Sequence, residues 1–470
     1  MEKLEQPTRS ALNLHAAAAA IQIMIFLFAV GCATQTADTA PPLAVPETFS
    51  DSGTQKPPDR WWTAFGSTEL NALMDQALED NFDLKTAWQR LKEVRAIAER
   101  ESADLFPEID AFAEGEITRS ETADTEQLRL GLTAAYEVDL WGRIRSSVHA
   151  EEYRAKASLA DYQTAALSVS GEVVRTWYQL MAAQSQLQIL NHQVEANQKV
   201  LRLLEDRFAS GQTRSVDILR QRQLVEATRE QKFTEEARIQ VLTHQLSVLA
   251  GTPPQTPVQY THDPLPVLPP LPETGLPSAL VRRRPDVKRA HLRLKAADRD
   301  MAAAVSNQYP RLDLTAALSS TTQGANDLFE DWARSFSANL LGPLFDAGRR
   351  SAEVDRTEAV KKQRLYAYGQ TILTAFQEVE DALVQEKKQT DRIKSLESQV
   401  RLAEKTYKQL RLEYINGISN FIDVLTALTD AQQLRRDLVS AKLARIEYRI
   451  ALYRALAGGF EIRAENENRD

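Results

Sequence analysis

Residues 128–143 read LRLGLTAAYEVDLWGR, and the period of their side chains changes once, at Trp141-Gly142. Leu128, Leu130, Leu132, Ala134, Tyr136, Val138 and Leu140 are apolar at every second position, with Arg129, Thr133, Glu137 and Asp139 among the residues between them. That alternation predicts a strand with one apolar and one wetted face. Beyond Arg143 there is no Pro and a single Gly, Gly171, until Gly211. Over this span Leu159, Tyr162, Ala166, Val169, Val173, Thr176, Leu180, Ala183, Leu187, Leu190, Val194, Asn197, Leu201, Leu204 and Phe208 follow at alternating spacings of three and four, a sustained heptad. The spacing predicts one helix over 143–209, roughly 100 Å long at ~1.5 Å per residue and several times the width of a compact domain.

The rest of the chain repeats this plan. Asn81-Phe82-Asp83-Leu84 aligns with Arg284-Pro285-Asp286-Val287, and Phe106-Pro107 with Tyr309-Pro310, where a helical period gives way to alternation. Ile109, Ala111, Ala113, Gly115 and Ile117 alternate with Glu108, Asp110, Phe112, Glu114 and Glu116, and a polar loop over 118–127 completes a predicted hairpin. Leu312, Leu314, Ala316 and Leu318 mark a third strand, and Phe336, Ala338, Leu340 and Leu344 a fourth. Gly142-Arg143 matches Gly348-Arg349, and Gly211, Asp217 and Leu219 fall on Gly417, Asp423 and Leu425. The heptad positions Leu190, Val194, Asn197, Leu201, Leu204 and Phe208 fall on Leu396, Val400, Ala403, Tyr407, Leu410 and Tyr414 at one constant offset. Each half is therefore expected to be helix, hairpin, long helix and return helix. The expected organisation is a first repeat over 61–251, an extended connector over 252–277 whose nine prolines leave it without a core, a second repeat over 278–458 and a tail over 459–470.

Composition narrows the class. The 470 residues are 43% hydrophobic and 26% charged, which with many Ala, Leu, Glu, Lys, Arg and Gln residues suits an extended helical protein. A net charge of −8 and a pI near 5.6 argue against a nucleic-acid binder, which needs a concentrated basic face. At the N-terminus Lys3 and Arg9 precede an apolar run over 16–30 broken only by Gln22, and Ala29, Val30 and Gly31 lead into Cys32, the single cysteine. Residues 1–31 read as a signal peptide with a lipoprotein-type cleavage site, leaving Cys32 to carry diacylglycerol and N-acyl lipid. Ala33, rather than Asp, follows the lipidated position, as in outer-membrane lipoproteins, and residues 32–60 read as a Pro, Ser and Thr-rich tether.

Strands of about ten residues tilted at ~45° match the apolar core of a bilayer. Four such strands cannot close into a barrel, and an open edge in lipid leaves backbone groups unpaired at several kcal/mol each. Identical chains must pool their strands, and three copies supply about twelve, enough to enclose water. The expected fold class is an α+β membrane protein: a long antiparallel α-helical barrel continuous with a β-barrel assembled from four strands per chain in a homotrimer.

These residues resemble the outer-membrane factors, the TolC-like family of outer membrane efflux proteins, and within it the lipoprotein branch. The resemblance is carried by Trp61-Trp62 with Phe65, Asn81-Phe82-Asp83-Leu84, Leu105-Phe106-Pro107, the run from Tyr136 to Arg143, Leu276-Pro277-Ser278 with Arg283-Arg284-Pro285-Asp286, and Pro343-Leu344-Phe345-Asp346-Ala347-Gly348-Arg349. It implies a homotrimer in the outer membrane of a Gram-negative bacterium, extending into the periplasm. Such a channel exports drugs, metal ions or proteins handed over by an inner-membrane pump, here expected to be proton-driven, and a periplasmic adaptor.

The resemblance also implies a site. Tyr414-Ile415-Asn416-Gly417 with Asp423 resembles the periplasmic tip where family members constrict their pore, and a ring of three Asp423 carboxylates would attract cations. Thr426 takes the second acidic position of such tips, so a double ring is not expected, and Ser419 stands where some members carry a basic latch. The alternative reading of Asp423 is a cap of the return helix, and its repeat mate Asp217 is read as a cap rather than a gate. Gly211 and Gly417 are expected to supply turn geometry and to face the adaptor.

No catalytic constellation is legible. His15, His149, His192, His244, His262 and His291 are scattered, without a metal-ligand spacing, and there is neither a phosphate-binding Gly-rich loop nor a Gly-x-Ser-x-Gly elbow. The chain is expected to be no enzyme and to need no cofactor. The alternatives are a duct for type I protein secretion and a periplasmic coiled-coil scaffold with no pore.

Overall fold

The computed structural model describes residues 40–119, 124–260, 264–323 and 325–458. The predicted signal peptide, Cys32, residues 33–39 of the tether, the hairpin crown at 120–123 and the tail at 459–470 lie outside the described residues.

A short 3-10 turn, Trp61–Phe65, opens the folded part, followed by α1 (Thr68–Asp80) and α2 (Phe82–Ala103). Ser67 caps α1 by accepting the Leu70 amide at 3.1 Å, and Asn81 caps α2 by accepting the Asp83 and Leu84 amides. Strands β1 (Glu108–Arg119) and β2 (Asp124–Val138) then form a hairpin. Next come α3 (Arg143–Ala209) and α4 (Ser215–Leu249). The second half supplies α5 (Pro277–Arg283), α6 (Pro285–Ser306), β3 (Arg311–Thr322), β4 (Ala333–Leu341), α7 (Arg349–Ile415) and α8 (Phe421–Leu456). Both α3 and α7 are single helices of 67 residues.

The strand-to-helix corners are stitched by carboxylates. Asp139 accepts the Ile144 and Arg145 amides at 3.1 and 2.9 Å, and Asp346 accepts those of Gly348 and Arg350 at 3.1 and 3.3 Å. Each satisfies donors that a helix start would leave open, so the strand can pass directly into the rod. Between the repeats, the Trp141 indole stacks on Tyr309 at 4.7 Å and donates to the Pro310 carbonyl at 2.8 Å.

One antiparallel sheet runs β1-β2-β3-β4. Ile109, Ala134, Ala316 and Phe336 lie in one rung, and Asp110, Thr133, Ala317 and Ser335 in the next, so the sequence alternation becomes one apolar and one polar face. The first strand pair reaches further than expected: β2 starts at Asp124, and residues read as polar loop extend the ladder. β1 and β4 are open edges.

Near the sheet the helices stand in the order α2-α3-α6-α7, and away from it in the order α4-α3-α8-α7. The central core joins Trp61, Trp62, Leu70 and Met74 to Trp177 and Tyr178 on α3 and to Ile450 and Tyr453 on α8. A second cluster packs Leu280, Val287 and Leu294 on Ile372, Phe376 and Val379 of α7.

The described parts of the tether and the connector are not free chain. Leu43, Val45 and Phe49 lie on the α7 cluster, and Phe49 meets Phe376 at 6.2 Å. The Gly53 amide donates to the Pro272 carbonyl at 3.0 Å and the Glu273 amide to the Gln55 carbonyl at 2.7 Å. Val258, Tyr260, Leu265 and Leu268 of the connector cover the central core. This corrects the expectation that no core forms over 252–277. Proline removes an N–H donor but not apolar surface, so a proline-rich strand can lie flat on a core.

Candidate functional site

The two long helices end alike. After α3 the Gly211 amide donates to the Phe208 carbonyl at 2.9 Å and the Gln212 amide to the Arg207 carbonyl at 2.8 Å; after α7, Gly417 donates to Tyr414 at 3.1 Å and Ile418 to Glu413 at 2.8 Å. This pairing needs a left-handed residue, and Gly211 and Gly417 have φ of 73° and 77°. A Cβ at either position would meet nothing within 4 Å, so glycine serves the backbone rather than the space.

Beneath the turns, Leu204, Ile218, Phe421 and Val424 are buried together, with Leu410 and Tyr414 packed against them. The cluster ties both helical hairpins into one block. Tyr414 lies at its edge: its ring meets Phe421 at 5.6 Å, the Arg207 guanidinium lies 5.0 Å from its centroid, and its hydroxyl is 2.9 Å from that of Thr213. Ser419 donates to the Leu410 carbonyl at 3.3 Å.

The repeat-related aspartates differ. α4 starts at Ser215, so Asp217 sits inside the first turn rather than at the cap, which corrects the reading of it as a capping residue. It is buried and accepts from Arg214 through Nε and Nη2, both at 3.2 Å, with Arg220 at 3.7 Å. Asp423 likewise follows the start of α8 by two residues, but it is exposed, and among the described residues its carboxylate accepts no hydrogen bond and forms no ion pair. Thr426, one turn on, donates to the Ile422 carbonyl at 2.9 Å.

Asp423 opens a groove between α7 and α8. Asp430 and Asp437 continue it at seven-residue steps, two helical turns or ~10 Å each, over a floor that includes Leu410, Ala427 and Leu434. Above the groove, α3 meets α8 through amides. Gln186 donates to the Arg436 carbonyl at 2.8 Å and Gln193 to the Gln432 carbonyl at 3.1 Å; Gln432 donates to Asn197 Oδ1 at 2.8 Å, and Asn197 in turn to Thr228 at 3.0 Å.

Tyr414, Gly417, Asp423 and Thr426 thus share the α7–α8 end, and Gly211 and Asp217 the α3–α4 end. The sequence reading missed Thr213, the amide seam, and Asp430 and Asp437, although the last two continue the seven-residue spacing from Asp423. Among the described residues no group of three or more His, Cys, Asp and Glu could hold a metal ion. No helix there is long and apolar enough to cross a membrane.

The family model described as Outer membrane efflux protein matches residues 73–252 and 276–458, one segment per repeat. The pyoverdine export outer membrane protein OpmQ of Pseudomonas aeruginosa is 31% identical over 417 residues, covering 86% of this chain and 88% of its own. The cation efflux system protein CusC of Escherichia coli is 26% identical over 449 residues, covering 93% of this chain and 98% of its own. Among solved structures, the outer-membrane channel OprN superposes with a TM-score of 0.83 at 27% identity, over 90% of this chain and 99% of that one. The chain therefore belongs to the outer membrane efflux protein family, and is an outer-membrane channel of tripartite efflux rather than a catalyst.

Proposed function

We propose that the chain acts as a homotrimer, lipidated at Cys32 in the manner of the family's lipoprotein branch. In this reading it is a passive exit duct for small molecules that a proton-driven inner-membrane pump and a periplasmic adaptor deliver. One observation carries the three-copy reading. The sheet ends in open edges at β1 and β4, and apolar side chains are exposed down the same two flanks. Phe82, Leu219, Phe233 and Val241 are exposed on α2 and α4, and Leu373, Val384, Leu402 and Leu412 on α7. A head-to-tail contact that closes as a ring removes both edges and covers both flanks at once. The repeats over 61–251 and 278–458 then alternate around the duct.

At the periplasmic end, three copies of Asp423 form a carboxylate ring that Thr426 does not double, and Tyr414 ties the ends of the two hairpins. Gly211 and Gly417 present their turns to the adaptor. Cys32 follows a signal-peptide pattern ending in Gly31, with Ala29 where such cleavage sites usually carry Leu, which supports a lipid anchor in the outer membrane. The relatives are named for pyoverdine, cations, solvents and toluene, cargoes without a shared recognition group. Selectivity accordingly resides in the pump.

Purified protein in planar bilayers tests the duct: discrete single-channel steps are expected, and their absence from a detergent-resistant trimer would overturn it. Labelled fatty acid tests the anchor separately. Incorporation should vanish in Cys32→Ser, and label retained by that variant would refute lipidation there.

A further inference from the structure

We infer that β4 of one copy pairs with β1 of the next in the register that β2 and β3 already use inside the chain. Leu344, Leu340 and Phe336 then stand opposite Ile109, Ala113 and Ile117 of the next copy. The inference rests on the three-copy reading and adds the register to it.

The ladder itself carries the internal repeat. β1 and β3 both begin directly after a proline, Pro107 and Pro310, so Ile109 is equivalent to Leu312, Ala113 to Ala316 and Ile117 to Ser320. Glu108 faces Ala135 in the first hairpin, and its equivalent Arg311 faces Leu341 in the second. Those two pairs make β2 and β4 equivalent as well, Val138 with Leu344, Ala134 with Leu340 and Leu130 with Phe336. The same step carries Gly142 onto Gly348, outside the sheet, and both are left-handed, with φ of 75° and 84°.

The chain contains one join between repeats, and its pairs are Val138 with Leu312, Ala134 with Ala316 and Leu130 with Ser320. Replacing each residue by its equivalent gives the pairs between copies. Two further observations agree. A slip of one residue would set Leu340 against Phe112 or Glu114 and turn the apolar face inward, whereas the inferred register keeps apolar with apolar. It also sets Asn339 and Ser337 against Glu114 and Glu116, so the carboxylates at the join meet neutral partners; Arg334 meets Arg119 only at the loop end. Then there is length. Tyr136, Glu137 and Val138 run past the last β1 partner and pair with β3 alone. Their equivalents are Gly342, Pro343 and Leu344, which follow the last paired residue of β4, and Leu344 is fully exposed. These three residues await the next copy.

Cysteine pairs in the full chain, with Cys32 kept as the lipid site, test the register. Directly opposite Cβ atoms lie ~4.5–5.5 Å apart and diagonal ones ~7–8 Å, so only true partners should oxidise efficiently. Phe336→Cys with Ile117→Cys, and independently Leu340→Cys with Ala113→Cys, should give covalent dimers and trimers on non-reducing denaturing gels. Leu340→Cys with Ala111→Cys or Gly115→Cys, slips of two residues that preserve the faces, should give at least fivefold less. Cross-linking that favours a slipped pair overturns the register and leaves the trimer standing. So does the absence of cross-links in variants that still migrate as trimers under native conditions. A wild-type protein that stays monomeric in membranes removes the three-copy reading, and the register with it.

Discussion

The Tyr414 hydroxyl lies 2.9 Å from the Thr213 hydroxyl, joining the end of α7 to the turn between α3 and α4. It is a polar tie at the rim of an apolar cluster, between hairpins of different repeats. Tyr414→Phe keeps the ring on Phe421 and under Arg207 but removes the tie. A hydrogen bond of this kind is worth ~0.5–1.5 kcal/mol, so the balance toward an open tip should shift about two- to tenfold per copy. Single-channel recording should show longer or more frequent open states. Unchanged gating in a variant with normal trimer yield would count against the tie.

Asp423 is exposed and without a charged partner among the described residues, and in the proposed trimer its charge would face ions passing the tip. Asp423→Asn keeps the shape and removes the charge. Block by divalent cations should weaken severalfold, more at low salt than at about 1 M, where the screening length falls to ~3 Å. Asp430→Asn, two helical turns further along, should have a smaller effect. Equal effects from both would mean that the groove acts as a whole and that Asp423 is no special constriction.

Much of this was legible because it is local. Alternation around Leu132 and the heptad through Val173 each describe a single element, and α3 occupies the span that its spacing predicted. What escaped detection depends on distant partners. Asn197 reads as a polar gap in a heptad, and nothing near it in sequence announces Gln432 on the other repeat. Thr213 looks like any turn residue until Tyr414 is beside it. The connector misled for a different reason: its prolines report lost donors, while Tyr260 and Leu268 report apolar surface that is covered only once the helices have assembled. Asp217 and Asp423 read alike because the repeat aligns them, and only burial separates an ion-paired residue from an exposed one.

Asp286 predicts how the second repeat responds to acid. Its carboxylate accepts from Arg284 at 3.0 and 2.7 Å and from the Val287 amide at 2.9 Å, while Arg284 also pairs with Glu378. Burial works against the charge, but the Arg284 hydrogen bonds and charge outweigh it and hold the carboxyl below the usual range. As the pH falls, the unfolded chain takes up this proton first, near ~3.9, and the folded chain only lower. The contribution to stability is therefore full above about pH 5 and is lost as the pH falls through the depressed folded value. Asp286→Asn should melt lower than wild type at about pH 7, with the gap closing toward about pH 2. A gap independent of pH would show that the charge is not what matters.

Arg449 and Glu386 are 1% and 5% exposed, and the guanidinium meets the carboxylate through two hydrogen bonds of 2.8 and 2.5 Å. Its remaining nitrogen donates to the Pro269 and Pro270 carbonyls at 2.8 and 3.0 Å, so one buried cation holds α7, α8 and the connector together. Removing Glu386 alone leaves that cation without its counter-charge, a loss of ~3–5 kcal/mol, whereas replacing a buried pair by apolar residues is often close to neutral. Here the double replacement also frees two proline carbonyls, each worth ~1 kcal/mol as a lost acceptor. Glu386→Leu should therefore destabilise more than Glu386→Leu with Arg449→Met, while only the double variant removes the hydrogen bonds that hold the connector. Denaturant midpoints measure the first effect and limited proteolysis within residues 252–276 the second. If the single and double variants unfold together, the unpaired charge is not what destabilises Glu386→Leu. If the double variant is not cut faster than wild type, the connector is held by its apolar contacts, Tyr260, Leu265 and Leu268, rather than by Arg449.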